Sequence, residues 1–359
     1  LNKPWWHRID VTLIVTTFTL SFIGLIMIYS ANGKDGGPSS EVSRQILYII
    51  VGTVIMLLFT AIDYELWGRL YRHIYVITIL LLIIVLFIGH TVQGAQRWIP
   101  LGPLGSFQPS EMAKLAMIIT VARFLTLSDT LKPINLLYAS LLIMLPWVLI
   151  LIQPDLGTAL VLVAITLVLF FTVGVRPWIL LSAIVAGLSL GPFVLKEYQK
   201  ERLLMFINPE GDPEGGGWNL IQAKIAVGSG KVAGKGIFLG TQNQLNFVPE
   251  HSTDFIFTVV GEELGLTGAM GILTLYLYLL WRGLSIAQAS RDSFGTLLAV
   301  GIVTMFSFHL FVNIGMNIGI LPVTGIPLPF ISYGGSSLLT NMMSIGILGS
   351  IYFRRGKIF

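Results

Sequence analysis

Asp254 is where chemistry would turn. It stands in Pro249-Glu250-His251-Ser252-Thr253-Asp254-Phe255-Ile256-Phe257, where a long polar loop runs into an apolar helix. An ionisable group at a membrane boundary marks a functional site by default. Two readings compete. In the first, Ser252 or Thr253 caps the helix and Asp254 favours the positive end of its dipole. In the second, Asp254 faces a cavity as a general base and takes a proton from a substrate hydroxyl. Spacing alone favours the first, because acidic first turns are common. Glu262 and Glu263 follow in the same helix, about 12–14 Å further along it. Adjacent carboxylates in an apolar helix must be paired, protonated or wetted. A polar seam that locks helices is favoured over a cavity lining, and Gly261, Gly265 and Gly268 permit close helix contact beside them.

Gln108-Pro109-Ser110-Glu111-Met112-Ala113-Lys114 opens another helix. Pro109 suits its first position, and Glu111 and Lys114 share one face at a spacing of three. A lysine there opposes the helix dipole, so a partner must offset it. That partner is Glu111 or a bound phosphate. Gln153-Pro154-Asp155-Leu156-Gly157-Thr158 repeats the theme, with Asp155 placed to cap. Arg97, Arg202, Lys224, Lys231 and Lys235 add cations that, with Lys114, would receive an anionic headgroup. Gly228-Ser229-Gly230-Lys231 and Gly234-Lys235-Gly236 lack the spacing of a nucleotide loop and read as a flexible turn region. In Gly325-Ile326-Pro327-Leu328-Pro329-Phe330-Ile331-Ser332-Tyr333-Gly334-Gly335-Ser336-Ser337, two prolines and a glycine pair interrupt helical regularity. Such backbone is tolerated where it is buried in protein or lines a wet cavity. His90 and His309 read as isolated, and no zinc site is expected.

The elements that must hold these residues are membrane helices. Of 359 residues, 54% are hydrophobic and 11% charged, well below the roughly 25% charge of a soluble domain. The absence of cysteine excludes disulfides and thiolate metal sites. The net charge of +4 is spread over loops, and nucleic-acid binding would need a denser basic patch. Apolar stretches of about 20 residues recur. They predict an all-α polytopic membrane protein of about ten transmembrane helices, with cores at 10–30, 44–61, 74–90, 109–126, 134–152, 156–174, 178–196, 254–280, 294–314 and 336–353. The run Val11 to Tyr29, preceded by Lys3 and Arg8, is too long for a signal-peptide core and reads as a retained first helix. The chain reads as a single domain, 1–359, with one large extracytoplasmic loop over 197–253.

Lys3, Arg8, Arg69, Arg72, Lys132, Arg176, Arg282, Arg291, Arg354, Arg355 and Lys357 collect on one side, against Lys34, Arg44 and Arg97 on the other. The first side is therefore read as cytoplasmic, with both termini inside. Within the large loop, Tyr198 to Phe206 would extend helix seven, and Asn208-Pro209-Glu210-Gly211-Asp212-Pro213 is a turn cluster. Trp218, Ile221 and Ile225 mark a short helix that lies either on the membrane surface or on protein.

In this order, these motifs resemble the SEDS family (shape, elongation, division and sporulation). The resemblance runs from the first helix to the last. Its strongest part is Asn313, Gly319, Pro322 and Gly325 followed by Phe330-Ile331-Ser332-Tyr333-Gly334-Gly335-Ser336-Ser337. Arg8-Ile9-Asp10, Ile62-Asp63-Tyr64 and Thr253-Asp254-Phe255-Ile256-Phe257 are similar to the rod-shape branch rather than the division branch. The resemblance implies a peptidoglycan glycosyltransferase. Such an enzyme polymerises lipid II, a disaccharide-peptide on undecaprenyl pyrophosphate, at the outer face of the cytoplasmic membrane. It implies a class B penicillin-binding protein (a transpeptidase) as partner. It also places the family's essential acid at Asp254, which reverses the preference for a cap. Lys114, Arg202 and Arg97, with Lys224 behind them, become candidates to hold the pyrophosphate. Glu111 would position Lys114, and Asp155, Glu262, Glu263, Ser332, Gly334 and Gly335 would support the site. A divalent cation, Mg or Mn, is compatible with the same task, although no motif fixes one. Ten helices with broken segments and intramembrane carboxylates also suit a lipid II flippase or transporter. A membrane scaffold that activates the penicillin-binding protein is a third reading.

Overall fold

The computed structural model describes residues 9–32, 40–92, 95–100, 102, 105–128, 132–194, 197–208, 216–245, 247–248 and 250–355. Lys3, Arg8, Lys34, Lys357 and the turn cluster from Pro209 to Pro213 lie outside the described residues. The chain runs α1 (Val11–Asn32), α2 (Ser40–Ala61), α3 (Tyr64–Arg69), α4 (Tyr71–Ile88), β1 (His90–Val92), β2 (Ala95–Pro100) and β3 (Ser106–Phe107). There follow α5 (Pro109–Leu127), α6 (Pro133–Ile152), α7 (Leu156–Thr172), α8 (Pro177–Val194), α9 (Glu197–Ile207), α10 (Gly216–Ser229), α11 (Thr241–Gln244), α12 (Ile256–Gln288), α13 (Ser293–Asn317) and α14 (Gly335–Phe353).

This is an all-α polytopic membrane protein. Among the described residues, seven helices, α1, α2, α4, α6, α12, α13 and α14, are long and apolar enough to cross a membrane. The apolar helices α7 and α8 and the more polar α5 occupy the other three expected spans. In such a setting the helix satisfies its own backbone groups, and this constraint selects the architecture. The helices divide by burial. Along α2, α4 and α6 only about a fifth of the residues of the spanning window are buried, whereas 67% and 72% are buried in α13 and α14. The central helices are also the ones that carry buried His309, Asn313, Asn317, Thr340 and Asn341. Polar side chains are placed where protein, not lipid, surrounds them.

Two features differ from the sequence-based expectation. The segment after α4 is a small antiparallel sheet in the order β1-β2-β3, with Ile99 opposite Phe107. The stretch 197–207 is helical, as expected, and the junction with α8 at residues 195–196 lies outside the described residues. Helix α12 starts at Ile256, two residues after Asp254, and is broken at Gly265 (φ 65°, ψ −162°). That break is filled from the large loop. Lys235 N and Gly236 N donate to the carbonyls of Glu262 and Glu263, and Leu266 N and Thr267 N donate to those of Lys231 and Val232, all at 3.0–3.1 Å. The glycine-rich turn is therefore a docked clamp on α12 and forms no phosphate cradle. Helix α10 packs on protein through Leu220, Ala223 and Ala226, which are buried along one face, while Ile225 of the expected stripe is exposed.

The two ends of the described chain meet at one end of the bundle. Arg282, late in α12, bridges them: its Nε lies 2.6 Å from Asp10 Oδ2 ahead of α1, and its guanidinium stands over the Tyr352 ring at the end of α14, 5.0 Å from the centroid. Asp254 marks the opposite end of α12.

Candidate active site

Asp254 occupies the turn that precedes α12. Phe255 is the N-cap and no side chain caps the helix. Thr253 Oγ1 donates to Glu250 instead. The expected Ser252 or Thr253 cap is thus absent, and the acid is held by its backbone. Asn313 Nδ2 and Asn317 Nδ2 donate to the Asp254 carbonyl at 2.9 and 3.1 Å. These two asparagines are one turn apart on α13 and share a face. The interrupted segment before α14 holds the neighbouring residues. Ser332 Oγ donates to the Thr253 carbonyl at 2.6 Å and Tyr333 N to the Ser252 carbonyl at 2.9 Å. Gly325, at φ +73°, passes close beside the carboxylate; a Cβ there would lie 3.4 Å from Asp254 Oδ2.

The carboxylate faces a cavity of about 370 Å³ whose lining includes Arg97, Glu111, Lys114, Glu250 and His309. Asp254 is half-buried, and the surface it retains opens on this cavity. Burial pushes its pKa up to about 6. Arg97 opposes that shift, Glu250 adds to it, Arg202 opposes it, and Asp155 adds to it, in falling order. An acid with that pKa is mostly a carboxylate near neutrality and still basic enough to accept a proton.

Lys114 is 1% exposed, and its ammonium donates to Glu111 Oε1 at 2.7 Å. Asp155 does more than cap α7. It accepts from Thr158 N and Oγ1, from Gln108 Nε2 and from Ser110 Oγ at 2.9–3.1 Å, with Arg97 Nη1 at 3.7 Å. It therefore ties the starts of α5 and α7 to the strand that carries Arg97. The lining is also aromatic. Tyr48, Trp98 and Tyr333 line the cavity with Gly334 and Gly335, and a Cβ on Gly335 would come within 2.8 Å of the Tyr48 ring.

The structure thus brings Asp254, Lys114, Arg97, Glu111, Gly334 and Gly335 to one cavity. It does not bring every candidate there. Arg202 is exposed outside the lining, where its Nη1 reaches the Val323 carbonyl at 3.4 Å. Lys224 lies across Gly319, just beyond α13, where the negative end of that helix favours an ammonium. Glu262 and Glu263 lie in the α12 break. Glu262 accepts from Lys235 Nζ, Gln242 N and Asn243 Nδ2 at 2.6–2.9 Å, and Glu263 accepts from Ser30 at 2.7 Å. Ser332 supports the acid's loop and is no part of the lining.

The family profile described as "Cell cycle protein" (FTSW_RODA_SPOVE) matches residues 11–356. The chain belongs to this family, the SEDS proteins. It is 41% identical to peptidoglycan glycosyltransferase MrdB of Escherichia coli K12, over 99% of this chain and 96% of that one. It is 35% identical to peptidoglycan glycosyltransferase RodA of Treponema pallidum, over 96% and 98%. A solved chain of a peptidoglycan synthase complex, described as coordinating polymerization and crosslinking, superimposes with a TM-score of 0.82 at 30% identity, covering 97% of this chain and 98% of its own. Thermus thermophilus rod shape determining protein RodA gives 0.74 at 28%, covering 98% and 99%.

One lining residue of this SEDS protein escaped the sequence reading. His309 is not isolated: its Nε2 lies 3.0 Å from Lys114 Nζ, and it is fully buried. The readable signal was the run His309, Asn313, Asn317 at i, i+4 and i+8, a polar stripe along one helix face. Among the described residues no group of three or more His, Asp or Glu converges to hold an ion, and Asp155 and one oxygen of Glu111 already have donors.

Proposed function

We propose that this chain is a peptidoglycan glycosyltransferase that polymerises lipid II at the outer face of the cytoplasmic membrane, serving cell elongation and rod shape, with Asp254 as its general base. One observation carries the assignment of roles: Asp254, Arg97 and Lys114 line a single cavity. Asp254 accepts the proton from the acceptor sugar's 4-hydroxyl. The oxygen bonds to the anomeric carbon of the donor sugar, and the bond from that carbon to the pyrophosphate oxygen breaks. Its electron pair leaves with undecaprenyl pyrophosphate. Negative charge grows on that leaving group, so fixed cations at Lys114 and Arg97 lower the barrier. The rings of Tyr48, Trp98 and Tyr333 offer flat apolar faces to the sugars.

The excess of Arg and Lys at the end of the bundle where the two chain ends meet supports a cytoplasmic placement of that end, with the cavity on the other face. A class B penicillin-binding protein is the proposed partner, supported by the likeness to a chain of a synthase complex that also crosslinks. The experiment is polymerisation of lipid II by purified protein with that partner. Asp254→Asn is expected to fold and form no glycan chains. Normal chains from that variant would remove the base. Wild-type protein that moved lipid II across vesicles without joining sugars would make the chain a transporter.

A further inference from the structure

Lys114 is held between two acceptors, and only one of them is charged. Its ammonium has three hydrogens and no lone pair. One hydrogen goes to Glu111 Oε1 at 2.7 Å, and His309 Nε2 stands 3.0 Å away on the other side. A hydrogen on Nε2 would point at the ammonium. Nε2 therefore presents its lone pair, and the ring hydrogen sits on Nδ1, on the side of the Pro327 carbonyl but without a hydrogen-bond partner. The third hydrogen of Lys114 is left for the cavity that the residue lines.

From this geometry we infer that His309 is a positioning residue: it holds the Lys114 ammonium toward the cavity, where it receives the pyrophosphate of a prenyl-linked donor. The choice of pyrophosphate rests on the glycosyltransferase reading above. The reason a second acceptor is needed lies in Glu111. Its Oε2 is buried and has no hydrogen-bond partner, so it competes for the same ammonium. Without the lone pair of His309, Lys114 turns onto both oxygens of Glu111 and withdraws from the cavity. The imidazole is neutral, and Lys114 with Glu111 already balances in charge. Removing His309 therefore strands no buried charge, unlike removal of Glu111. Its loss is predicted to show in ligand binding before it shows in folding.

The test compares His309→Leu, His309→Gln and His309→Asn in the full-length protein. The side-chain amide of glutamine reaches the position of Nε2, whereas that of asparagine reaches only Nδ1. Each protein is assayed for inhibition of lipid II polymerisation by farnesyl pyrophosphate and by farnesol, and for its melting temperature. His309→Leu and His309→Asn are expected to weaken inhibition by farnesyl pyrophosphate roughly tenfold to a hundredfold, the scale of one charge-assisted hydrogen bond. Farnesol inhibition and melting should stay near wild type, and His309→Gln should recover most of the pyrophosphate effect. Equal loss for both probes, no loss in His309→Leu, or failure of His309→Gln to exceed His309→Asn would overturn the inference. If His309→Leu does not fold, the comparison of glutamine with asparagine decides alone. Wild-type protein that binds farnesyl pyrophosphate in preference to farnesol but never joins lipid II would refute the glycosyltransferase reading and leave the Lys114 geometry standing.

Discussion

The side-chain amide of Asn313 donates to the backbone carbonyl of Asp254 at 2.9 Å and, through its second hydrogen, to the Ile326 carbonyl at 2.8 Å. One fully buried amide thus joins the loop of the acid to the interrupted segment that faces it. Asn313→Ala would strip the Ile326 carbonyl of its side-chain donor and leave the Asp254 carbonyl with that of Asn317 alone, at about 1–3 kcal/mol. The expected outcome is a folded protein with a lowered melting temperature and polymerisation reduced at least tenfold. Asn313→Asp should be worse still, because a carboxylate would face two carbonyl oxygens. Wild-type turnover from Asn313→Ala would show that the acid keeps its place without this link.

What the sequence made legible was mostly local. Asp254 stood out because a polar loop enters an apolar helix there, and Lys114 with Glu111 because three residues separate them on a helix. The His309, Asn313, Asn317 stripe was equally local and was missed by treating His309 as a metal ligand without partners instead of asking which face it shared. Other parts were not readable, because distant segments create them. Ala95–Pro100 is too short to show strand periodicity, and its pairing with Ser106–Phe107 puts Arg97 at the cavity. The break at Gly265 exists because residues 231–236 complete its hydrogen bonds from outside the helix. Lys224 had the right charge, yet the end of α13 claims it.

The pH profile should report Asp254. With a pKa of about 6, kcat/KM is expected to fall tenfold per pH unit below 6 and to level off above it. Asp254→Asn should lose about 10²–10⁴-fold in rate and show no such limb. Stability should move the other way. The folded pKa lies above the unfolded value, so the native state binds the proton more tightly. Stability is therefore lost as pH rises from about 4 to 6, and Asp254→Asn should melt higher than wild type at pH 7 and converge with it near pH 4. Identical melting temperatures across that range would contradict the burial of the acid.

Asp155 gathers donors from Gln108, Ser110 and Thr158, with Arg97 beside it. Asp155→Ala would strand them inside the protein, costing about 2–4 kcal/mol. Both melting temperature and activity should drop, since the same contacts set Arg97. Glu262 is different in kind. It binds Lys235 and Asn243 at the break in α12 and lies outside the cavity. Glu262→Gln should lower the melting temperature while kcat at low temperature stays within a few-fold of wild type. A selective fall in kcat with unchanged melting would place Glu262 in the chemistry instead.

Gly325 gives the sharpest control on the environment of the acid. Its φ of +73° is costly for any residue with a side chain, by roughly 1–2 kcal/mol. The added methyl of Gly325→Ala would sit against Asp254 Oδ2, at 3.4 Å. An apolar group there removes water from the carboxylate and disfavours its charged form. The acid limb of the pH–rate profile should therefore move above 6, and activity at pH 7 should fall several-fold while the plateau at high pH recovers most of it. A strained but unperturbed site would instead lose rate equally at every pH, with the limb unmoved. Measuring the full profile, not a single rate, separates the two, and an unmoved limb would mean that this backbone approach does not set the basicity of Asp254.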